Sequence, residues 1–167
     1  MIDQGAKLAQ FNVSRLLAPL DAPDMSEFVA FLAPVNAFAE QSPGFLWRLK
    51  DADGGASSYL PSPYPDPMMI TNLTVWSDLE SLRHFTYHTV HRYFLQNRKK
   101  WFDRLTTRQV VLWWLTSEAW PTLGEAMERL SEFDRCGAGP AAFSFQAAFD
   151  PRGNPVAFRP TIDTNPA

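Results

Sequence analysis

Residues 7–16 read KLAQFNVSRL, and from Ala9 to Ser14 the side chains alternate without a break. Ala9, Phe11 and Val13 fall on one side, and Gln10, Asn12 and Ser14 on the other. Successive side chains of a β-strand point to opposite faces, so the stretch reads as a strand with one apolar face. Its other face carries amides and a hydroxyl. A solvated face would be richer in Lys and Glu, and an apolar interior would be poorer in amides. The mixture therefore suits a ligand cavity with a few placed polar groups, or a sheet-to-sheet interface.

Working outward, Asp21-Ala22-Pro23-Asp24 is a turn, and Asp24 with Glu27 resembles a capping box. The helix after it should bury Phe28, Phe31, Leu32, Val35, Phe38 and Ala39, with Pro34 kinking or splitting it. Ser42-Pro43-Gly44 ends it, and a second strand follows over residues 45–49. The loop 51–68 holds Gly54-Gly55 and prolines at 61, 63, 65 and 67. So long a loop is a lid, an arm on a partner subunit, or mobile. Residues 70–76, ITNLTVW, alternate again as a third strand, and Ser77 with Glu80 forms another capping pair. Residues 110–115, VVLWWL, are apolar on both faces, as in a central strand. Thr122 and Glu125 cap a helix burying Leu123, Ala126, Met127, Leu130 and Phe133, which Gly137 and Gly139 stop. Residues 141–149 make a last strand candidate, and the tail 150–167 reads as an arm or disordered.

The order is β-α-β-β-α-β with an extra C-terminal helix and strand. That is an α+β, ferredoxin-like protomer occupying residues 1–149. Helices should cover the Ala9/Phe11/Val13/Leu73/Val75 face. The free face would then present Gln10, Asn12, Asn72, Thr74, Trp76 and one residue of the Trp47/Arg48 pair.

Residues 81–101, SLRHFTYHTVHRYFLQNRKKW, hold all three histidines, His84, His88 and His91. At 3.6 residues per turn they share one face with Tyr87, Phe94, Leu95 and Arg98, so they should look at protein, with a break near Thr86. Hydrophobic residues make up 46% and charged residues 20% of the chain, ordinary for a soluble domain, with a net charge of −3 that offers no basic footprint for nucleic acid. A single cysteine, Cys136, excludes an intramolecular disulfide and a thiolate cluster. No apolar run reaches the ~20 residues of a membrane span, and no signal peptide opens the chain, so a cytoplasmic location is expected.

AQFNVSR, FLAPVNAFAEQSPGFLWRL, NLTVWSDLESLRHFTYHTVHRYFLQNRKKWF, VLWW and PTLGEAMERL together resemble the domain-of-unknown-function 3291 family, grouped with the dimeric α/β-barrel superfamily. The resemblance spans residues 7–149. It implies a ferredoxin-like protomer whose sheet pairs with a second copy, a homodimer. The superfamily includes cofactor-free monooxygenases, polyketide cyclases, haem-degrading oxygenases, aldoxime dehydratases and stress-response proteins. Within the family pattern lie Asn36, Glu40, Trp47, Arg48, Trp76, Tyr87, His91, Trp101 and Trp114. Pro34 departs from it, as does Asn97-Arg98-Lys99-Lys100, where consecutive arginines are usual.

Several chemistries remain open. For acid–base work on an organic molecule, His91 or His88 would be the base, with Tyr87 beside them and Asn72, Asn12 or Asn36 donating to a developing oxyanion. Trp47, Trp76 and Trp114 would hold a flat substrate, with Glu40 and Arg48 as further polar contacts. That combination describes a monooxygenase- or cyclase-type enzyme without a cofactor. Haem is the alternative, with His91 as axial ligand and Arg98 on a propionate. A binding protein would use the same cavity without a titrating group. His84-x3-His88 could start a metal site, but one straight helix cannot wrap three ligands around an ion, and no metal is expected. Nucleophile and phosphate-binding motifs are lacking.

Overall fold

The computed structural model describes residues 5–157. The main sheet contains β1 (Leu8–Leu16), β2 (Phe45–Arg48), β3 (Met69–Trp76), β4 (Phe102–Asp103) and β5 (Val110–Trp114). β1 is central and antiparallel to β3, β4 and β5, and β2 pairs with β3. The order β2-β3-β1-β5 with every pairing antiparallel is the ferredoxin-like arrangement. Two-residue β4, not expected from the sequence, pairs only with the far end of β1.

The helices are α1 (Ser26–Gln41), α2 (Leu79–His88), α3 (His91–Asn97) and α4 (Leu123–Cys136). α1 runs unbroken through Pro34, so the split into two pieces, one of the two outcomes expected there, does not occur. The anticipated Asp24/Glu27 cap does not form, because the helix begins at Ser26 behind Met25, with no side-chain cap bond. Glu27 instead accepts the Tyr93 hydroxyl proton, tying α1 to α3. At α2 the cap is Asp78, not Ser77: its carboxylate accepts the Ser81 N–H at 2.7 Å. Thr122 caps α4 as anticipated, accepting the Glu125 N–H at 3.1 Å. Between α1 and β2 the chain turns at Gly44, φ +80°, where a Cβ would lie 2.3 Å from the Ser81 hydroxyl oxygen.

Both faces of the sheet are covered. Ala9, Phe11, Val13, Leu73, Val75, Val111 and Trp113 pack against Ala126, Leu130 and Phe133 of α4. The opposite face carries two separate clusters. At one end Leu8, Trp76 and Leu112 meet Ala39 of α1 and Leu82 and Phe85 of α2. At the other, Leu16 and Ile70 meet Phe28, Leu32, Phe94 and Trp101. The α1–α3 layer therefore lies over the amide-bearing face, and α4 takes the apolar one. The Ala9/Phe11/Val13/Leu73/Val75 face is covered by a helix as expected, whereas the face expected to be free is covered as well. The apolar face is thus already buried within one chain, so a second copy could pair with it only if α4 gave way.

Residues 141–149 form no continuous strand. A single bridge joins Phe143 to Leu112, and β6 (Ala148–Phe149) pairs with β7 (Pro155–Val156) in a small hairpin. The start of the tail is therefore ordered, while the arm or disorder expected beyond residue 157 lies outside the described residues. In the loop 51–68, Ser57 is buried and its hydroxyl donates to the Thr71 carbonyl at 2.8 Å. No helix among the described residues is long and apolar enough to cross a membrane.

Candidate functional site

The interval between the two apolar clusters is where the polar groups gather. Register places Gln10 opposite Thr74 and Asn12 opposite Asn72, so all four share one face. Their side chains form one chain of hydrogen bonds. Trp76 Nε1 donates to Thr74 Oγ1 at 3.0 Å, and that hydroxyl donates to Gln10 Oε1 at 3.0 Å. Gln10 Nε2 and Asn72 Nδ2 both donate to Asn12 Oδ1, at 3.0 and 3.2 Å. The chain ends with the amide NH₂ of Asn12, which makes no hydrogen bond among the described residues. No buried side-chain polar atom is left unsatisfied among them, so this NH₂ is open to solvent.

From above, α1 brings Asn36 to the same interval. Leu32 on one side of it belongs to the cluster of Phe28 and Trp101, and Val35 and Ala39 belong to that of Trp76 and Phe85. His91, the first residue of α3, packs on Phe85 of the Trp76 cluster. Its ring lies 5.3 Å from that of Phe85, which is 5.2 Å from Trp76. Trp76 thus joins the aromatic column to the amide row.

His91 Nδ1 lies 3.3 Å from the Thr86 carbonyl oxygen. A carbonyl only accepts, so the proton sits on Nδ1 and the Nε2 lone pair is free. Enclosure of the ring disfavours the cation and lowers the pKa below the usual histidine value, while the Thr86 carbonyl acts the other way. His91 is therefore a neutral base at pH 7.

The other expected site residues have other surroundings. α2 ends at His88 because Thr89 is extended, with its hydroxyl turned back to the Phe85 carbonyl. That break resets the helical phase, and the buried positions of α2 are Leu82 and Phe85. His84 and His88 are exposed, stacked on each other at 5.5 Å, instead of facing protein as their spacing suggested. Tyr87 is exposed against Phe145. Arg48 is buried on the amide face, but Glu40 (2.8 Å) and the carbonyls of Gly55 (2.9 Å) and Gly54 (3.3 Å) occupy its guanidinium. Glu40 also meets Lys50 at 3.1 Å, and these cations hold its carboxyl below the ordinary range against some loss of hydration. Trp47 is on the opposite face, stacked on Trp120 at 5.7 Å. Trp114 shares the face of Trp76 and donates from Nε1 to the Phe149 carbonyl at 2.7 Å, which holds the C-terminal segment to β5.

For the haem reading, the Phe85 ring lies 5.3 Å from the imidazole of His91, and Arg98, the cation expected on a propionate, is exposed on the turn after α3. Among the described residues no three His, Cys, Asp or Glu side chains are grouped to hold a metal ion. Two cavities lie elsewhere: one beside Ser42, Asp78 and His84, the other behind the sheet under α4. The sequence placed Gln10 and Thr74 on this face through their alternation with Ala9, Phe11, Leu73 and Val75, but gave no sign that they link the row by hydrogen bonds.

A family model described as Domain of unknown function (DUF3291) matches residues 7–158. No curated protein matches the chain. Among solved structures, NE2512 from Nitrosomonas europaea, of unknown function, is 14% identical, with a TM-score of 0.47 over 71% of this chain and 98% of that one. PA3566 from Pseudomonas aeruginosa is 15% identical, with a TM-score of 0.45 over 70% and 98%. A mutant form of SnoaB, a cofactor-independent oxygenase from Streptomyces nogalater, is 17% identical, with a TM-score of 0.42 over 70% and 96%.

Proposed function

The chain belongs to the DUF3291 family, whose function is unknown, and we propose that it is a small-molecule enzyme of the monooxygenase or cyclase type working without a cofactor. The observation that supports this reading is His91: a histidine with its proton on the Thr86 side, its Nε2 free and its ring kept neutral, packed on Phe85 at the end of the aromatic column that Trp76 joins to the amide row. The substrate is a flat, aromatic or polyketide-like molecule carrying an acidic proton next to an oxygen. His91 Nε2 takes that proton and becomes the imidazolium, and the negative charge left behind spreads onto the substrate oxygen. Amide donors aimed at such an oxygen stabilise it without reorganising, and the open NH₂ of Asn12 is the donor available here. Asn72 and Gln10 hold Asn12 in orientation, and Asn36 is the amide on the opposite wall. The carbanion then adds to a carbonyl of the same molecule, and the alkoxide formed takes the proton back from the His91 imidazolium; or it gives one electron to dioxygen and combines with the superoxide to a peroxide that takes that proton, and loss of water from the hydroperoxide leaves a new carbonyl. Entry falls to α3, which contains no fully buried residue and is joined to α2 through the extended Thr89.

The test is a screen of phenols, quinols and enolisable polyketide mimics, following oxygen uptake and exchange of the acidic proton into deuterated water. His91→Ala should lower the rate of proton removal about 100-fold or more, the usual scale for a lost general base, with an unchanged circular dichroism spectrum. Turnover that survives this substitution intact would mean a different base, and no turnover by the wild type on any of these compounds would leave a binding protein.

A further inference from the structure

Behind the sheet, away from His91, a cavity of about 360 Å³ lies between α4 and the ends of β1 and β3. Its apolar walls are Val13, Met69, Met127 and Leu130. The two thioethers are flexible and polarisable, and they adapt to ligands of irregular shape. At its rim the guanidinium of Arg108 lies over the ring of Phe133, 4.0 Å from the centroid. Contact with the ring steadies the guanidinium and leaves its N–H groups free to donate. The neighbouring carboxylate of Asp134 accepts the backbone N–H of Arg108 at 3.3 Å and forms no ion pair with its side chain among the described residues. Arg15, at the same end of β1, shows the contrast: its guanidinium is held by Asp66 at 2.8 Å and Asp103 at 3.3 Å. Tyr64 completes the rim. It is half-buried, and its hydroxyl has no hydrogen-bond partner among the described residues.

From this arrangement we propose a second binding site, for a small organic carboxylate with a short apolar body. The carboxylate would lie against the Arg108 guanidinium and accept the Tyr64 hydroxyl proton, and the apolar body would lie between Met69 and Met127. A neutral alcohol of the same length keeps the apolar contacts and loses the charge-assisted bonds, so it should bind more weakly.

The experiment is calorimetric titration of the full chain with sodium octanoate and with octan-1-ol, alongside NMR of methionine methyl groups. One saturable site for octanoate is expected, with the methyls of Met69 and Met127 shifted and that of Met25, on the other side of the sheet, unmoved. Arg108→Leu should weaken octanoate about tenfold, the scale of one hydrogen bond to a charged group. Tyr64→Phe should weaken it less, and His91→Ala should leave it unchanged. Both Arg108 and Tyr64 lie at the rim, and circular dichroism would verify that each variant is folded. The proposal is overturned by an absence of saturable binding at millimolar octanoate, by binding indifferent to both rim substitutions, or by loss of binding in His91→Ala.

Discussion

The two faces of one sheet are built to opposite rules. Under α4 the strands bury Ala9, Phe11, Leu73, Val75, Val111 and Trp113, and Trp113 Nε1 adds a hydrogen bond to Glu125 of α4 at 3.1 Å. Under α1, α2 and α3 the apolar contacts are pushed to the two ends, and the middle is a row of hydrogen-bonded side chains closed by Trp76 at one end and open at Asn12. A polar group taken from water is destabilising unless it is hydrogen-bonded, so a row of this kind contributes less to folding than the alanines and phenylalanines that could replace it. The difference between the faces teaches where stability and function are separated. The α4 side holds the fold together, and the other side keeps a hydrogen-bonding surface inside a covered layer.

Adjacent residues of β1 allow the contrast to be broken directly. Phe11→Ala, on the α4 side, should cost about 3–5 kcal/mol, the range for a large aromatic truncated in a core, measured by urea unfolding. A loss under about 1 kcal/mol would mean that α4 does not close that face in solution, and light scattering would then be expected to show a second copy in its place. Arg48→Met, at the edge of the polar side, should cost about 2 kcal/mol, since it strands Glu40 and the carbonyls of Gly54 and Gly55. The loop 51–56 would then lose its anchor, and earlier protease cleavage there would report it. Asn12→Ala, one residue from Phe11, should cost only about 1 kcal/mol in the same unfolding experiment. On the reading proposed above it should nonetheless remove most of the activity, so a variant that is stable and inactive separates the two faces.

The smallest effect is in pH. The folded-state pKa of His91 lies below the ordinary value near 6.5, so as the pH falls through 6.5 the unfolded chain takes up a proton that the folded one does not. The stabilisation present above pH 6.5 is then lost progressively as the pH falls towards the folded-state value. Wild type should therefore lose more stability than His91→Gln between about pH 7.5 and 5.5, read from urea midpoints. Equal losses would mean that the His91 ring is not enclosed. The proposed base should stay active below pH 6.5 for the same reason, and its rate should rise with pH through the lowered pKa to a plateau.

Much of this was legible in the residues. The period-two alternation of β1 and β3 by itself placed Asn12, Asn72, Thr74 and Trp76 on a shared face, and Thr122 announced the start of α4. Three readings failed for identifiable reasons. The histidines were phased on one face, but α2 buries Leu82 and Phe85 and so turns His84 and His88 outward, while the Thr89 hydroxyl competes for the Phe85 carbonyl, ends α2 and uncouples His91 from them. Arg48 and Glu40 looked like ligand contacts because both are polar beside a pocket-like face, yet their charges meet each other across α1 and β2, a pairing that spacing along the chain does not reveal. Residues 141–149 alternate like a strand, but only Phe143 bridges to the edge of β5, and the rest turns away into a hairpin with β7.

The sequence by itself determined that this chain makes an antiparallel α+β sheet with one apolar and one amide-bearing face, because alternation on a strand is a local property of its backbone. Which layer would cover which face was decided only by the tertiary structure. Both α1 and α4 carry apolar stripes that could pack on a sheet, and nothing local distinguishes their destinations. The direction of the crossovers and the fit of Phe133, Leu130 and Ala126 against Phe11, Val75 and Trp113 made that choice. His91 reaches Trp76 through Phe85, a packing that the spacing of the histidines does not show.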